Sequence, residues 1–399
     1  MTENKSNFNT RAIHSGSSPC PATGAHISPI YRTSTFVMDD VQQAIEISQD
    51  REAGYSYGRF GNPTVTELET KVAALEDTEA ALATASGMAA ISTTLLSLLQ
   101  AGDHLITGDI IYGCTYGLIR DVLTGFGIEV SMVDTGDPEN IKKAVRSNTR
   151  VIYIETPCNP VLKITDIEET ANIARSIGAK LLVDSTFATP YLQNPLQLGA
   201  DLVIHSATKY LNGHGDVLGG VVAGPKELIE HIKTPHLEFF GGIISPSDAW
   251  EITRGLKTLG VRMKRHCANA RKVAQFLQEH PMVERVLYPG VKSHPGHQVA
   301  KKQMQDFGGM MSFDVKGGFE AGKTLMNSVE LISLATSLGC VDSLIQHSPS
   351  MSHATMSREE RLQVGITEGQ VRLSVGLEDP DALIAELQQA LKKVEKAVQ

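Results

Sequence analysis

The sequence predicts an α/β protein with a mostly parallel sheet flanked by helices, a smaller α+β domain after it and an N-terminal arm before it. Five short β-rich segments alternate with helical segments between residues 104 and 206, as is typical of βαβ units. Uninterrupted apolar runs at 181–183 and 202–204 indicate a sheet that is covered on both faces. After about Gly255 the alternation gives way to long helical stretches, which predicts the second domain.

The length of the chain supports this division. It has 399 residues, of which 41% are hydrophobic, and this exceeds one ordinary compact core. We expect an arm for subunit contact over residues 1–60, a large domain over 61–255 and a C-terminal domain over 256–399. The arm is rich in Ser, Thr, Pro and Gly and has little apolar periodicity.

The individual elements follow from periodicity and end signals. Thr64 and Glu67 have capping-box spacing, which predicts a helix start at Thr64. Pro380 follows Asp379 at the predicted start of the last helix, and an apolar stripe at 383, 387, 391 and 394 predicts that this helix packs on its own domain. Strands are expected at 104–108, 128–134, 150–156, 180–186 and 201–206, and in the C-terminal domain at 283–289, 309–315 and 371–377.

Composition excludes several classes of protein. The net charge is −9 without a basic cluster, so nucleic acid is not an expected partner. No apolar run reaches about 18 residues, so no membrane span is expected. The first ten residues lack the order of a signal peptide, and the five cysteines are scattered and form no CxxC pair. These features predict a cytoplasmic protein without a disulfide scaffold.

A lysine follows the last strand of the alternating region. In the segment DLVIHSATKYLNGHG, at 201–215, an apolar strand leads directly into Ser206, Thr208 and Lys209. Most lysines lie on solvated surfaces, but a lysine held beside a buried strand has a lowered pKa and becomes a nucleophile, as a Schiff-base lysine requires. The two hydroxyls can donate to a phosphate, although ordinary strand-end hydroxyls are the alternative.

A carboxylate and a small-residue turn complete a predicted cofactor site. Asp184 ends an apolar strand, where α/β sheets bind ligands, and it can keep a pyridinium nitrogen protonated. Its alternative role is a helix N-cap. Ser86, Gly87 and Met88 precede a helix and can form an anion cradle from backbone N–H groups, although many loops share this pattern. Together with Lys209 they predict pyridoxal 5′-phosphate (PLP) as the cofactor.

Two further side chains fit an amino-acid substrate. Tyr112 can stack on a planar cofactor and act as an acid or base, with a packed aromatic as the alternative. Arg372 lies in the strand segment VRLSVGL, and its planar guanidinium can bind a carboxylate with two hydrogen bonds. A surface arginine remains the alternative.

Two patterns are not interpreted as sites. The glycines from Gly213 to Gly219 imitate a dinucleotide loop, but their spacing is wrong and no βαβ unit surrounds them. His294 and His297 have metal-like spacing, but the Pro-Gly pair between them indicates a turn. We therefore expect no metal.

The motifs resemble the γ-subfamily of fold-type-I PLP enzymes, which act on cystathionine, methionine and homoserine derivatives. The resemblance covers essentially the whole chain. It is carried by DLVIHSATKYLNGHGD, TRAIHSG near the start, YSYGRFGNPT at 55–64, YIETPCNP at 153–160 and RLSVGLEDP at 372–380.

The resemblance implies a role for each matched residue. Lys209 is the Schiff-base lysine, Asp184 pairs with the pyridine nitrogen and Tyr112 stacks on the ring. The phosphate is held by four residues, namely Gly87, Met88, Ser206 and Thr208. Tyr57 and Arg59 reach the phosphate of a neighbouring subunit, which implies dimers doubled to a homotetramer. The substrate-side residues are Arg372 and Ser337, which hold the α-carboxylate, and Asn159, which helps to orient the ring.

Two positions favour methionine as the substrate. Within this family, Cys114 in YGCT resembles the methionine γ-lyases, where it is a soft contact for the thioether. Thr336 is neutral where relatives that process cystathionine tend to carry glutamate. In the expected γ-elimination, Lys209 removes the Cα proton and Tyr112 protonates the leaving group.

Other positions keep alternatives open. Methionine γ-lyases usually carry a Lys-Asp pair shortly before the position of Gly241, and this chain has neither residue between His236 and Phe240. Ser185 stands where asparagine is usual. The alternatives are a cystathionine γ-lyase, an O-acetylhomoserine sulfhydrylase that performs γ-replacement, and a γ-lyase for homocysteine or canavanine. A PLP-binding regulator with little turnover is an alternative of another class.

Overall fold

The computed structural model describes residues 7–50, 53–354 and 356–398. Residues 1–6 and 51–52 of the predicted arm lie outside this description. The described strands are β1 Ala80–Thr84, β2 His104–Gly108, β3 Glu129–Val133, β4 Thr149–Glu155, β5 Lys180–Asp184, β6 Leu202–His205, β7 Gly220–Gly224, β8 Val283–Leu287, β9 Met310–Val315, β10 Ser333–Leu334, β11 Leu344–His347 and β12 Gln370–Ser374.

The larger sheet has the strand order β1-β7-β6-β5-β4-β2-β3. Strands β2 to β6 pair with each other in parallel, whereas β7 runs antiparallel to β6 and β1. This confirms the mostly parallel sheet, and β2 to β6 are the five expected strands with ends shifted by up to two residues. Strand β7 was missed because its sequence, GVVAG, contains two glycines, which are depleted in strands.

Both faces of this sheet are covered. Along β4, Val151 and Tyr153 belong to one apolar cluster, whereas Ile152 and Ile154 belong to another. All four side chains are fully buried, so alternate residues of one strand enter opposite layers. Each fully buried side chain of this kind contributes about 1.5–3 kcal/mol, which explains the uninterrupted apolar strand sequences.

The helices surround the two sheets. The described α-helices are α1 Phe8–His14, α2 Val41–Gln49, α3 Pro63–Leu75, α4 Gly87–Leu98, α5 Gly113–Gly117, α6 Pro138–Ala144, α7 Ile167–Ser176, α8 Thr189–Leu192, α9 Lys226–His231, α10 Glu238–Phe240, α11 Pro246–Leu256, α12 Leu259–Glu279, α13 His297–Gln303, α14 Gly318–Met326, α15 Arg358–Gln363 and α16 Pro380–Val398. Short 3-10 or π segments lie at Leu118–Leu123, Thr124–Phe126, Pro195–Leu198, Ile232–Leu237 and Ser348–Ser350. In the part of the chain that the structure describes, no helix is both long and apolar enough to cross a lipid bilayer.

The start of α3 differs from the expectation. The capping box from Thr64 and Glu67 is wrong, because α3 begins at Pro63 and its N-cap is Asn62. The Asn62 side chain accepts a hydrogen bond from the Thr64 backbone N–H at 2.9 Å. Asparagine is a strong N-cap and proline suits the first helical position, so the N-cap lies two residues earlier than the Thr-Glu spacing indicated.

The smaller sheet has the order β10-β11-β12-β9-β8 and is antiparallel except between β10 and β11. It contains the three expected C-terminal strands, now seen as β8, β9 and β12. Helix α16 begins at Pro380 as predicted, and its stripe is at most 1% exposed at the four expected positions, Leu383, Leu387, Leu391 and Val394. This confirms a smaller α+β unit.

Helix α12 connects the two parts of the protein. Its first residues, including Met263, pack in the apolar cluster of the large sheet, whereas Ala270 and Val273 pack in that of the small sheet. The division between residues 255 and 256 therefore falls just before this shared helix. It stays a prediction, as do the outer bounds of the arm.

Several hydrogen bonds hold the N-terminal arm against the large domain, whereas other parts of the arm are open. The fully buried Lys71 on α3 donates from Nζ to the carbonyls of Ile13 at 3.2 Å and Ser15 at 2.6 Å. In contrast, Val37 is 99% exposed and Val41 is 76% exposed. Apolar side chains left in water on an ordered segment are typical of a surface that another chain covers.

Candidate active site

Three strand ends of the large sheet meet at one edge. Because β4, β5 and β6 are parallel, their carboxyl ends lie together. Glu155 ends β4, Asp184 ends β5, and the segment after β6 carries Ser206 and Lys209. The Thr186 hydroxyl joins the last two segments, since it donates to Asp184 Oδ1 at 2.6 Å and accepts from the Ser206 N–H at 2.8 Å.

Lys209 is largely enclosed at this edge. Its Nζ donates a hydrogen bond to Ser337 Oγ at 2.9 Å. Burial, together with the Arg372 guanidinium, lowers the pKa of the Lys209 amine to about 8. At pH 7 about a tenth of this amine is therefore uncharged, far more than for an ordinary lysine with a pKa of about 10.4, and a nucleophilic or basic lysine requires the uncharged form.

Asp184 is a buried carboxylate that needs a positive partner. Its Oδ1 accepts from the Thr186 N–H and hydroxyl, and its Oδ2 accepts from the Tyr153 hydroxyl at 3.2 Å. Burial raises the pKa of Asp184, while the hydrogen bonds from Thr186 and the charge of the buried His205 oppose the rise. The next helix, α8, has Ala188 as its N-cap, so the capping alternative for Asp184 does not apply.

The segment expected to hold a phosphate lies at the start of α4, and its phosphate role stays a prediction. Ser86 is the N-cap, and its Oγ accepts from the Ala89 N–H at 3.1 Å. A Cβ at Gly87 would lie 2.9 Å from Ser206 Cβ, so only glycine allows the two segments to approach this closely. Met88 follows in the first turn, whose N–H groups lack intrahelical acceptors and favour an anion.

Thr208 already has hydrogen-bond partners within the chain. Its Oγ1 donates to the Gly219 carbonyl at 3.2 Å and accepts from the Gly219 N–H at 3.0 Å. A hydroxyl has one proton, so donation to a phosphate requires Thr208 to break its hydrogen bond to the carbonyl.

The glycine segment that imitates a dinucleotide loop begins with Gly213, which has φ +78 and packs against Arg262. This is turn geometry and not the start of a dinucleotide-binding helix.

Arg372, on β12, extends from the small sheet to the same edge. It is 5% exposed and donates to Asn159 Oδ1 at 2.7 Å and to the Ser337 carbonyl at 2.6 Å. Its Nε is buried and has no hydrogen-bond partner among the residues that the structure describes. Burial lowers the pKa of Arg372 to about 10, so the side chain is still a cation at neutral pH. An orphaned N–H on a held guanidinium suits a carboxylate ligand.

The backbone at Ser337 supports this arrangement. Ser337 has φ +82, a conformation that non-glycine residues rarely adopt. Its hydroxyl accepts a hydrogen bond from Lys209, and its carbonyl accepts one from Arg372. Ser337, with its left-handed backbone, therefore lies between the lysine amine and the guanidinium. Backbone conformations of this kind concentrate at functional sites.

Glu155 is a site residue that sequence reasoning missed. It is 7% exposed. Burial is the main reason that the pKa of its carboxyl group is raised to about 8, and the nearby Asp184 is the second. Glu155 Oε2 accepts from the Tyr112 N–H at 2.9 Å, and Oε1 accepts from the Asn159 N–H at 2.6 Å. The signal was available in YIETPCNP, because Glu155 ends an apolar strand just as Asp184 does.

Tyr112 and Cys114 lie at the open side of the site. Tyr112 is the N-cap residue of α5, its ring is half-buried, and Cys114 is exposed. Burial and a hydrogen bond with Cys114 raise the pKa of Tyr112 to about 12, so its hydroxyl is protonated at neutral pH. Thr115 in the same helix contacts Met88, with Oγ1 and Sδ 3.7 Å apart.

Tyr57 and Arg59 have other contacts within this chain. Arg59 donates to the Glu238 carbonyl at 2.6 Å, and its guanidinium lies 4.8 Å from the centre of the Phe60 ring. Tyr57 is 44% exposed. The single chain therefore does not bring these two residues to Lys209, and their phosphate contact remains a prediction about a neighbouring subunit.

The two histidines with metal-like spacing have separate partners. His294 Nδ1 accepts from the Gly296 N–H at 3.1 Å, and His297 Nδ1 lies 2.8 Å from the Pro289 carbonyl. Within residues 7–50, 53–354 and 356–398, no group of three His, Cys, Asp or Glu side chains is arranged to hold a metal ion.

The residues at the sheet edge fit PLP. The first-turn N–H groups of α4, which lie close to Ser206, can receive a phosphate, and the Lys209 amine has the lowered pKa that attachment of an aldehyde requires. Asp184 supplies the acceptor that a pyridinium N–H needs. The large sheet, with β7 reversed and the lysine placed after β6, is the fold-type-I architecture of PLP-dependent enzymes.

The chain belongs to the family of Cys/Met metabolism PLP-dependent enzymes, whose match spans residues 9–392. It is 53% identical over 396 residues to an L-methionine γ-lyase of Fusobacterium nucleatum subsp. polymorphum, covering 99% of this chain and 100% of that one. It is 47% identical to a cystathionine γ-lyase of Bacillus subtilis, covering 96% and 99%. The solved structure of metB from Corynebacterium glutamicum matches with a TM-score of 0.92 and 45% identity, covering 99% and 100%.

Proposed function

We propose that this chain converts L-methionine and water to methanethiol, 2-oxobutyrate and ammonia by PLP-dependent γ-elimination. The observation that carries the proposal is the cluster of Lys209, Ser337 and Arg372, which joins a base of lowered pKa to a carboxylate-binding guanidinium. Relatives named L-methionine γ-lyase at 48–53% identity favour methionine among the possible substrates.

The cofactor would be held by residues from three segments. Lys209 binds its aldehyde carbon, Asp184 its ring nitrogen, and the cradle at Ser86, Gly87 and Met88 its phosphate, with Ser206 and Thr208 beside it. When bound, PLP supplies an electron sink for the charge that develops at Cα. Tyr112 covers the ring from the open side.

Proton transfer is assigned to two side chains. Lys209, with a pKa of about 8, removes the Cα proton. Tyr112, with a pKa of about 12, keeps its proton at neutral pH and donates it to the departing sulfur. Burial lowers the pKa of Lys209 and raises the pKa of Tyr112, and this is why the lysine acts as the base and the tyrosine as the acid.

The substrate is oriented by its carboxylate and by a neutral pocket. Arg372 binds the α-carboxylate through its free Nε, with Asn159 and Ser337 holding the guanidinium. Cys114 and Thr336 are both exposed and uncharged, which suits a methylthio tail.

The assembly that we propose is a cytoplasmic homotetramer built from dimers with shared sites. Tyr57 and Arg59 would enter the phosphate site of the adjoining subunit. Exposed apolar side chains support a subunit contact in this region, because Phe239 is 75% exposed and Phe240 is 57% exposed beside the Glu238 carbonyl that binds Arg59. Because the site suits a small molecule and the net charge is −9, we do not expect the protein to bind nucleic acid.

A panel of γ-substituted amino acids tests the substrate. Methionine, cystathionine, O-acetylhomoserine, homocysteine and canavanine are each incubated with the PLP-loaded protein, and 2-oxo acid formation is measured. We expect the highest kcat/KM with methionine, and Lys209→Ala should abolish both turnover and the visible cofactor band. Faster turnover of another substrate would overturn the choice of methionine, and turnover by Lys209→Ala would overturn the PLP-lyase assignment.

Cystathionine γ-elimination is the second candidate, since the Bacillus subtilis relative at 47% identity bears that name. A sulfhydrylase would differ in its products, because added sulfide would divert O-acetylhomoserine from 2-oxobutyrate to homocysteine. A PLP-binding regulator would show the cofactor band without release of a 2-oxo acid from any member of the panel.

A further inference from the structure

Glu155 lies among the site residues, but its hydrogen bonds go to the backbones of Tyr112 and Asn159. It ends β4, directly beside Asp184 at the end of β5 in the parallel register. Its two carboxylate oxygens are shared between two different loops, with Oε2 accepting from the Tyr112 N–H and Oε1 from the Asn159 N–H. One side chain thus binds both Tyr112, which is 43 positions away in sequence, and Asn159, which is 4 positions away.

The connection continues beyond these two backbone groups. Asn159 Oδ1 accepts from Arg372 Nη1 at 2.7 Å, so the position of the Asn159 backbone also fixes the guanidinium. Tyr112, at the other end, carries the ring that lies at the open side of the site. One carboxylate therefore links the loop after β2, the loop after β4 and a residue of β12.

The charges around Glu155 show that its placement has a cost. Burial and then Asp184, which faces it from β5, raise the pKa of Glu155, whereas its two backbone hydrogen bonds and Arg372 from β12 lower it. Tyr112 and Cys158 also interact with it electrostatically. Because the resulting pKa is about 8, this carboxyl group keeps its proton most of the time at neutral pH, and its placement is stabilised by hydrogen bonds. A glutamate retained for packing alone would be better replaced by an apolar residue.

We propose that Glu155 is a positioning residue that fixes Tyr112 and, through Asn159, Arg372 relative to each other, so that the ring-stacking residue and the carboxylate-binding residue move as one unit. This inference rests on the proposed PLP-dependent function. Substrate carboxylate and cofactor ring must be held in one geometry for the Cα proton to face the base, and a displacement of about 1 Å can reduce the rate by about 100-fold.

Glu155→Gln tests the carboxylate with little change of shape. A glutamine has one acceptor oxygen, so its NH₂ group would face either the Tyr112 or the Asn159 N–H, and that loop would move away. Glu386 provides a matched control: it is also 7% exposed and its Oε1 accepts the backbone N–H groups of Leu331 at 2.7 Å and Ile332 at 3.3 Å, on the small domain. Glu386→Gln replaces a buried carboxyl group that also accepts backbone N–H groups, and it does so without touching the site.

Three properties are measured for the PLP-loaded wild type and both variants: the visible circular dichroism of the cofactor, kcat and KM for the best substrate of the panel, and the melting temperature. We expect Glu155→Gln to change the cofactor dichroism and to lower kcat/KM by roughly tenfold or more, while Glu386→Gln changes only the melting temperature. Unchanged dichroism and kinetics in a folded Glu155→Gln protein would refute the proposal.

A second variant, Glu155→Asp, tests the proposal if Glu155→Gln does not fold. Glu155→Asp keeps the carboxyl group but is one methylene shorter, so it reaches only one of the two N–H groups and should show the same dichroic change. Wild-type kinetics and dichroism in Glu155→Asp would refute the two-loop role. Because the dichroism needs no substrate, it tests Glu155 even if methionine is the wrong substrate; a wild type without any cofactor band would refute the PLP function instead.

Discussion

Replacement of Arg372 by lysine separates geometry from charge in the proposed carboxylate site. Arg372 donates to Asn159 and to the Ser337 carbonyl, and its Nε has no partner in the described residues. A lysine has three N–H donors at one point. If two replace the bonds to Asn159 and Ser337, one remains for a substrate carboxylate, whereas the guanidinium can offer two parallel donors.

The expected loss follows from the bond that lysine cannot make. A hydrogen bond to a charged group contributes about 1.5–3 kcal/mol, and about 1.4 kcal/mol corresponds to a tenfold change, so kcat/KM should fall roughly 10- to 150-fold. The loss should appear mainly in KM, because the carboxylate is bound in both the ground state and the transition state. The cofactor band should be retained.

Steady-state 2-oxobutyrate release from methionine measures this effect. Arg361→Lys is the matched control, because Arg361 is also buried and donates to the Met356 carbonyl and to Glu368. We expect Arg361→Lys to keep kcat/KM within about threefold of wild type, since its effect is confined to folding. A change of less than threefold in Arg372→Lys, or equal losses in both variants, would refute the carboxylate role of Arg372.

Three further predictions concern the base, the subunit boundary and the pocket. The rate at which the cofactor-free protein takes up PLP should rise with pH and level off above about 8, because only the uncharged Lys209 amine is nucleophilic; a rate that keeps rising well past that pH would contradict the lowered pKa. Mixing Arg59→Ala with Lys209→Ala should restore some activity once subunit exchange has been demonstrated, since one hybrid site would carry both wild-type residues. No recovery would place Arg59 and Lys209 in the site of the same subunit. Cys114→Ser should lower kcat/KM for methionine more than for O-acetylhomoserine, by roughly 1–3 kcal/mol with the cofactor band intact, because sulfur is the softer contact for a thioether. Equal losses on both substrates would remove Cys114 as support for methionine.

Local sequence was sufficient for the residues that lie at strand ends. Lys209 and Asp184 each follow an apolar strand, and in a parallel sheet this position alone predicts the ligand edge. The same rule would have found Glu155, which ends β4. The start of α3 shows the limit of local signals, because Asn62 and Thr64 are both good caps and only the folded backbone selects Asn62.

The sequence by itself determined the strand–helix alternation, the lysine at the sheet edge and the class of cofactor, because each depends on short-range periodicity and residue chemistry. Only the tertiary structure decided how these parts meet. Arg372 and Asn159 are 213 positions apart, and Lys209 and Ser337 are 128 positions apart, yet both pairs are hydrogen-bonded. Such contacts depend on how the small sheet packs against the large one, since no local pattern encodes a distance between side chains in separate layers.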